Sequence, residues 1–178
     1  MEFRKSQEKD IHKIMEIIKQ AQDYFKENNI DQWQNNYPND EVIKEDIKNN
    51  HSYVLVSNGE IVATSAVSFD GEETYNEIYE GSWITCDKYA VIHRIAVSDN
   101  HKGSGLSHRI VQCVEEMCRE KNVFSIKVDT HKDNISMQNM LKKNGFKYCG
   151  IIHLSYGAER VAYEKILKYM KWLRINKM

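Results

Sequence analysis

Apolar positions along the chain change their period several times, and each change marks an element. Ile11, Ile14, Met15, Ile18, Ala21 and Phe25 recur at helical spacing, which puts one apolar stripe on a helix. Asp10 stands where its N-cap would sit, and a short strand over Phe3–Ser6 precedes it. The stretch NNIDQWQNNYPND (28–40) breaks the pattern with turn formers, and a second short helix is predicted from Glu41 to Lys48. In SYVLVSNGEIVATSAVSF (52–69) two β-rich runs flank Asn58-Gly59. Both turn residues tolerate positive φ, so a type I′ hairpin is predicted. Residues 70–89, polar and aromatic, read as a long connection. Strands follow over 91–98 (VIHRIAVS) and 124–131 (FSIKVDTH). Between them runs a helix from Gly105 to Asn122 whose Leu106, Ile110, Cys113, Val114 and Met117 share a face. A short helix over 134–145 closes at Gly145, a C′ glycine. A last hairpin joins 146–154 to 159–166 around Gly157. The order βαα-ββ-β-α-β-α-ββ predicts a mixed α/β sheet.

The 178 residues fit one domain over the whole chain, large enough to bury a core without metals or disulfides. No repeat or low-complexity linker divides it. Lys plus Arg (25) nearly balance Asp plus Glu (26), so no global field draws the chain to nucleic acid or an anionic membrane, and neither is expected as a partner. No run of about 18 apolar residues occurs, and the opening MEFRKSQEKD lacks the apolar region of a signal peptide. A cytoplasmic protein is expected. The four cysteines (Cys86, Cys113, Cys118, Cys149) form no C-x-x-C pair and the seven histidines are scattered. Free, mostly buried thiols and no metal site are expected.

The candidate chemistry sits in HKGSGLSHRIV (101–111), where Gly103 and Gly105 directly precede an amphipathic helix. Amides at such a helix start bind anions. A P-loop fails because no Lys-Ser or Lys-Thr follows the glycines. A dinucleotide fingerprint fits poorly: His108 occupies the third glycine position, and the strand ends near Val97, too early for the tight turn. The segment IAVSDNHKGSGLS resembles the pyrophosphate loop of the GNAT family of N-acetyltransferases. That family's pattern of Arg or Gln, two residues, Gly, one residue, then Gly or Ala falls on Lys102, Gly105 and Ser107, with Gly103 as an extra glycine. Lys102 keeps the charge but not the guanidinium fork, and Ser107 stays small. DTHKDNISMQNMLKKNGF (129–146) resembles the later segment of the same family, with Asn134, Gly145 and Phe146 in register. The resemblance spans roughly 52–165, which would form the CoA-binding core.

The resemblance implies a GNAT-like fold: a mixed, mostly antiparallel twisted sheet with a splayed central parallel strand pair, flanked by about four helices. It implies acetyl-CoA as co-substrate, no metal, and direct acetyl transfer from the thioester to a primary amine. The splayed strands would be 91–98 and 124–131. Backbone groups of Ile95, Ala96 and Val97 would pair with the pantetheine arm. Lys102, Gly103, Ser104, Gly105, Leu106 and Ser107 would hold the pyrophosphate, and Asn134 would bond the arm from the opposite side. An N–H near Val97 would face the developing oxyanion. His93 is the candidate base, acting directly or through water; the plainer alternative is a strand histidine bonded to a neighbour. Strand alternation puts Arg94 on the opposite face, as a structural ion pair. Family members often carry a Tyr four residues before the closing glycine. Leu141 stands there and has no proton to give, so Tyr148 becomes the substitute acid, set against a packing role. That departure leaves open a catalytically impaired acyl-CoA-binding or regulatory module. The two glycines keep a nucleotide-binding oxidoreductase as a weaker rival.

Acceptor pockets in such proteins draw on the early helices and variable connections. Those regions hold Trp33, Tyr37, Tyr75, Tyr79, Trp83 and Tyr89, with Glu72, Glu73, Glu77 and Glu80. An aromatic and acidic pocket suits a cationic amine, and Trp33, Tyr79 and Trp83 are the substrate-binding candidates. The net charge of −1 argues against highly basic protein tails and favours a small-molecule amine, with a peptide amine left open. Residues 166–178 form a basic C-terminal segment read as a packed or frayed helix. A homodimer is also left open.

Overall fold

The structure, a computed structural model, describes residues 1–168; most of the basic C-terminal segment lies outside the described residues. The elements are β1 (Glu2–Lys5), α1 (Ile11–Glu27), α2 (Asp40–Lys48), β2 (Ser52–Ser57), β3 (Glu60–Ser68), β4 (Ala90–Val97), α3 (Leu106–Glu120), β5 (Ser125–Thr130), α4 (Ile135–Lys143), β6 (Lys147–His153) and β7 (Glu159–Ile166). The strands form one sheet in the order β1-β2-β3-β4-β5-β7-β6. Neighbours pair antiparallel except β4 with β5, which run parallel.

Side-chain periodicity decides which helix covers which face. Ile14, Ile17 and Ile18 of α1 are at most 1% exposed, and each full burial contributes about 1.5–3 kcal/mol. They pack with Ile43 of α2 against Val54, Ile61 and Ala96. Ile110, Val111 and Val114 of α3, with Leu141 of α4, cover the other face over Leu55, Ile92, Ile126, Val128 and Tyr163. Asn58 (φ 50°) and Gly59 (φ 82°) turn the β2–β3 hairpin as their residue types require. Asp10 stands at the N-cap position of α1, as expected, but its side chain makes no capping hydrogen bond to that helix. A 3-10 turn over Glu8–Asp10 leads into the helix, and the Asp10 carboxylate accepts from the Gln7 N–H at 2.8 Å and pairs with Arg4 at 2.7 Å. The Arg4 hydrogen bond holds Asp10 below its usual pKa.

Two features of β4 shape everything at the site. Ala66 pairs with His93 and Thr64 with Ala96, so β4 spends one extra residue around Arg94 and Ile95. Such a bulge bends the strand and re-aims side chains; Arg94 sits at φ 54°. The parallel pairing with β5 is also short. Ala90 meets Ile126 and Val91 meets Lys127, and the recorded register goes no further. Beyond that point β4 stays paired with β3 as far as Val97, and β5 stays paired with β7 as far as Thr130. The two strands keep their outer neighbours and lose each other.

The connection 70–89 is fixed by buried polar contacts. Glu164, fully buried, accepts from the Ile84 N–H at 2.5 Å and the Ser125 hydroxyl at 2.6 Å. Lys127, 3% exposed, lies 4.2 Å from the Trp83 ring centroid and 4.0 Å from that of Tyr89. Burial pushes the Lys127 ammonium below its ordinary pKa. Tyr79 adds a backbone bridge to Ile151, with reciprocal 2.8 Å bonds, and so covers β6, which would otherwise be an open sheet edge. That close approach explains Gly150: a Cβ there would lie 2.5 Å from the Tyr79 carbonyl oxygen.

Candidate active site

The gap between β4 and β5 opens on a cleft of about 1,100 Å3. Its walls include Ile92–Ile95 of β4, Asp129 and Thr130 of β5, Asn134 and Met137, the 31–37 loop, Asp70–Glu72, and residues 154–158 with Arg160. Of the residues singled out from the sequence, Trp33, Tyr37, Glu72, His93, Arg94, Ile95 and Asn134 meet here.

His93 sits between two carboxylates. Its Nε2 lies 3.2 Å from Glu72 Oε2, and its Nδ1 lies 3.9 Å from Asp129 Oδ1. Asp129 in turn accepts a 2.6 Å bond from the fully buried Tyr75 hydroxyl. Burial first, then Asp129, raises the Tyr75 pKa well above its ordinary value, so that hydroxyl stays a donor. The His93 contact, then bonds from Thr74, hold Glu72 down at about 2. A carboxylate held that low remains charged and is a weak proton acceptor at neutral pH. Glu72 therefore orients the imidazole rather than competing with it.

The bulge removes the alternation expected of Arg94. Its guanidinium grips Asp46 of α2 at 2.6 and 3.0 Å and donates to the Tyr37 hydroxyl at 3.0 Å. The ion pair is there, but Arg94 and His93 open on one cleft instead of two faces.

The anion-loop geometry is built from backbone. Gly103 (φ 79°) and Gly105 (φ 80°) are both left-handed, and Gly105 is the N-cap of α3. The first bond into the helix runs from the Arg109 N–H to the Gly105 carbonyl at 3.0 Å. The Leu106, Ser107 and His108 amides precede that bond, and their i−4 positions lie outside the helix. Lys102 reaches Asp99 at 2.5 Å and lies 5.1 Å from the Tyr24 ring centroid. The loop stands beyond the rim of the cleft, past the end of β4. The Ser98 N–H donates to the Val62 carbonyl at 2.9 Å. Alternation along an antiparallel ladder then turns the neighbouring Val97 amide toward the gap.

Asn134 is more occupied than its expected role requires. Its Oδ1 caps α4 at the Met137 N–H (3.1 Å), and its Nδ2 donates to Gln32 Oε1 at 2.9 Å. Three other candidates lie outside the cleft lining. Trp83 donates to the Tyr75 carbonyl at 2.9 Å and cages Lys127; a buried ammonium needs that partner. Tyr79 bonds Glu77 at 2.6 Å over the β6 edge. Tyr148, half-exposed on β6, stacks edge-on against Tyr163 at 5.8 Å. Leu141 is buried in the core. The residues missed from the sequence are Gln32, Asp129 and Arg160. Asp129 alternates with apolar Val128 in β5, so its facing was legible; Gln32 and Arg160 carried no local signal.

Residues 14–146 match the family model described as "Acetyltransferase (GNAT) family". The chain belongs to that family. The solved structure of a GNAT-family acetyltransferase from Streptococcus agalactiae 2603 is 34% identical, with TM-score 0.86 over 94% of this chain and 95% of that one. The PaiA N-acetyltransferase of Thermoplasma acidophilum, solved in complex with coenzyme A, shares the fold at 13% identity and TM-score 0.69, over 93% of this chain and 98% of that one. Streptothricin acetyltransferase of Escherichia coli is 25% identical over 88 residues, 49% of this chain and 51% of that protein. That match thus spans about half the length of the curated relative. No helix among the described residues is long and apolar enough to cross a membrane.

Proposed function

We propose that the protein is an acetyl-CoA-dependent N-acetyltransferase acting on the primary amine of a small molecule. One observation carries this reading. β4 and β5 register at only two positions, Ala90–Ile126 and Val91–Lys127, while both keep their outer neighbours. A strand edge opened inside a sheet has backbone groups in need of a partner, and an extended amide-bearing arm suits it as an added strand would. The left-handed glycines and the α3 amides at the end of that edge fit a diphosphate.

Acetyl-CoA bound there supplies the acetyl thioester. The Val97 amide, turned to the gap, is placed to donate to a developing oxyanion. His93, held by Glu72, accepts the proton of the incoming amine directly or through water. Asp129 and Glu72 favour a cationic acceptor entering the cleft. No tyrosine stands at the Leu141 position, so the leaving thiol departs as thiolate, which a pKa of about 8.5 permits near neutral pH.

Burial of Leu141 and the placement of Tyr148 outside the cleft favour a second reading, a CoA-binding module without turnover. Thiol release over a panel of amines, beside thermal shifts with acetyl-CoA, CoA and NAD, separates the two. Release with any amine supports the enzyme. Stabilisation by acetyl-CoA with no release across the panel supports the module, and stabilisation by NAD alone defeats both.

A further inference from the structure

Arg160 carries a buried charge without a carboxylate. Arg4, Arg94, Arg109 and Arg119 each lie within ion-pair distance of one: Asp10, Asp46, Glu116 and Glu115. Arg160, only 6% exposed, is the exception among the described arginines. Its Nη1 donates to the Glu159 carbonyl at 2.8 Å, and its Nη2 to the Tyr156 hydroxyl at 3.3 Å. Both partners are neutral, and the guanidinium has five donors. Asp31 and Asp133 lie in the same neighbourhood: they and Arg160 all act on His131, whose pKa is lowered chiefly by burial and then by Arg160. Neither carboxylate is within ion-pair distance of Arg160 among the described residues. Buried charges are ordinarily paired, and a planar fork selects a carboxylate.

Arg160 lines the cleft together with His93, Glu72 and Asp129. The cleft thus offers carboxylates for an ammonium on one side and, on another, a guanidinium with no carboxylate partner among the described residues. We infer that the acceptor is a zwitterionic amine, an amino acid or short amino carboxylate, whose carboxylate pairs with Arg160 while its amine is presented to His93. This rests on the acetyl-transfer reading and narrows its substrate class.

The test compares glycine, β-alanine, γ-aminobutyrate and lysine with their carboxamides in the thiol-release assay. For the wild type, at least one carboxylate acceptor is expected to exceed its amide tenfold or more in kcat/KM, through KM. Arg160→Gln should bring that ratio within twofold, Arg160→Lys should restore part of it, and acetyl-CoA affinity should stay within twofold. Amides that serve equally well, or a preference that survives Arg160→Gln, would overturn the inference. So would a fall in acetyl-CoA affinity, which would assign the guanidinium to the donor. Should Arg160→Gln not fold, the wild-type ratios and Arg160→Lys still decide. Where no amine is turned over, thermal shifts read the same pairs: larger shifts with the carboxylates in wild type only keep the site, and equal shifts end it. Absent turnover with a retained carboxylate shift would count against the transfer reading alone.

Discussion

The proposed donor side and the proposed acceptor side of the cleft are made of different material. The donor side is backbone: the α3 amides, two left-handed glycines and an unpaired strand edge. The acceptor side is side chains from segments far apart in sequence, with Glu72, His93, Asp129 and Arg160 brought together by the sheet. A backbone site depends on conformation and is indifferent to most side-chain identities. A side-chain site depends on identity and tolerates small shifts of the main chain. Substitutions that act through φ should therefore strike donor binding, and substitutions that act through charge or protons should strike acceptor handling.

The largest effect belongs to Gly105→Asp. A Cβ at Gly105 meets nothing within 4 Å, so crowding is not the cause. The φ of 80° costs an L-residue about 1–2 kcal/mol, and the added charge repels a diphosphate. We expect acetyl-CoA affinity to fall about a thousandfold by calorimetry, roughly 4 kcal/mol, whereas Gly105→Ala should lose about tenfold from strain alone. Affinity kept within threefold by the Asp variant would show that this loop is not the anion site.

Next comes Asp46→Ala, which cuts across the comparison because its target is stability. It strips the bidentate partner from Arg94, whose side chain is 15% exposed. Leaving such a charge unpaired costs about 3–5 kcal/mol. Chemical denaturation should show a loss of about 3 kcal/mol, partly recovered when Arg94→Met is added. A single variant as stable as wild type would mean that the Arg94 charge finds water or Tyr37 instead.

The same division separates what the sequence disclosed from what it hid. Asn58-Gly59, Gly145 and the α3 stripe act within a few residues, and so the element order and the left-handed glycine turn before α3 were readable from local pattern. The bulge at Arg94 depends on what β3 and α2 present to it, and it reversed the facing expected of that residue. The aromatic and acidic 70–89 connection read as an acceptor pocket, yet Trp83 and Tyr89 serve Lys127. The signal was available elsewhere: a lysine in FSIKVDTH and a glutamate in ERVAYEKI stand in strands otherwise rich in apolar residues, and each called for a buried partner. Arg160 carried no such local signal; that it has no carboxylate partner among the described residues shows only once the fold brings it to the cleft.

His93→Ala should lower turnover at least tenfold while leaving acetyl-CoA affinity within twofold, because it acts on the acceptor's proton and on nothing the donor touches. Steady-state kinetics with a saturating acceptor, beside calorimetry, makes the measurement. Unchanged turnover would reduce His93 to a strand histidine bonded to Glu72.

The smallest effect sharpens the role of Glu72 itself. Its folded pKa, held at about 2 first by the His93 contact, lies below the ordinary carboxylate value. Its stabilisation is therefore complete above about pH 4.5 and drains away as pH falls toward 2. The side chain is 28% exposed, so solvent screening cuts the contribution to about 1 kcal/mol. Thermal melts of wild type and Glu72→Gln should differ at pH 6 and converge near pH 2. In the His93→Ala background the gap at pH 6 should shrink, since the principal cause of the low pKa is gone. A gap of the same size in that background would show that Thr74, not the imidazole, holds the carboxylate, and Glu72 would then no longer be the group that orients His93 toward the acceptor.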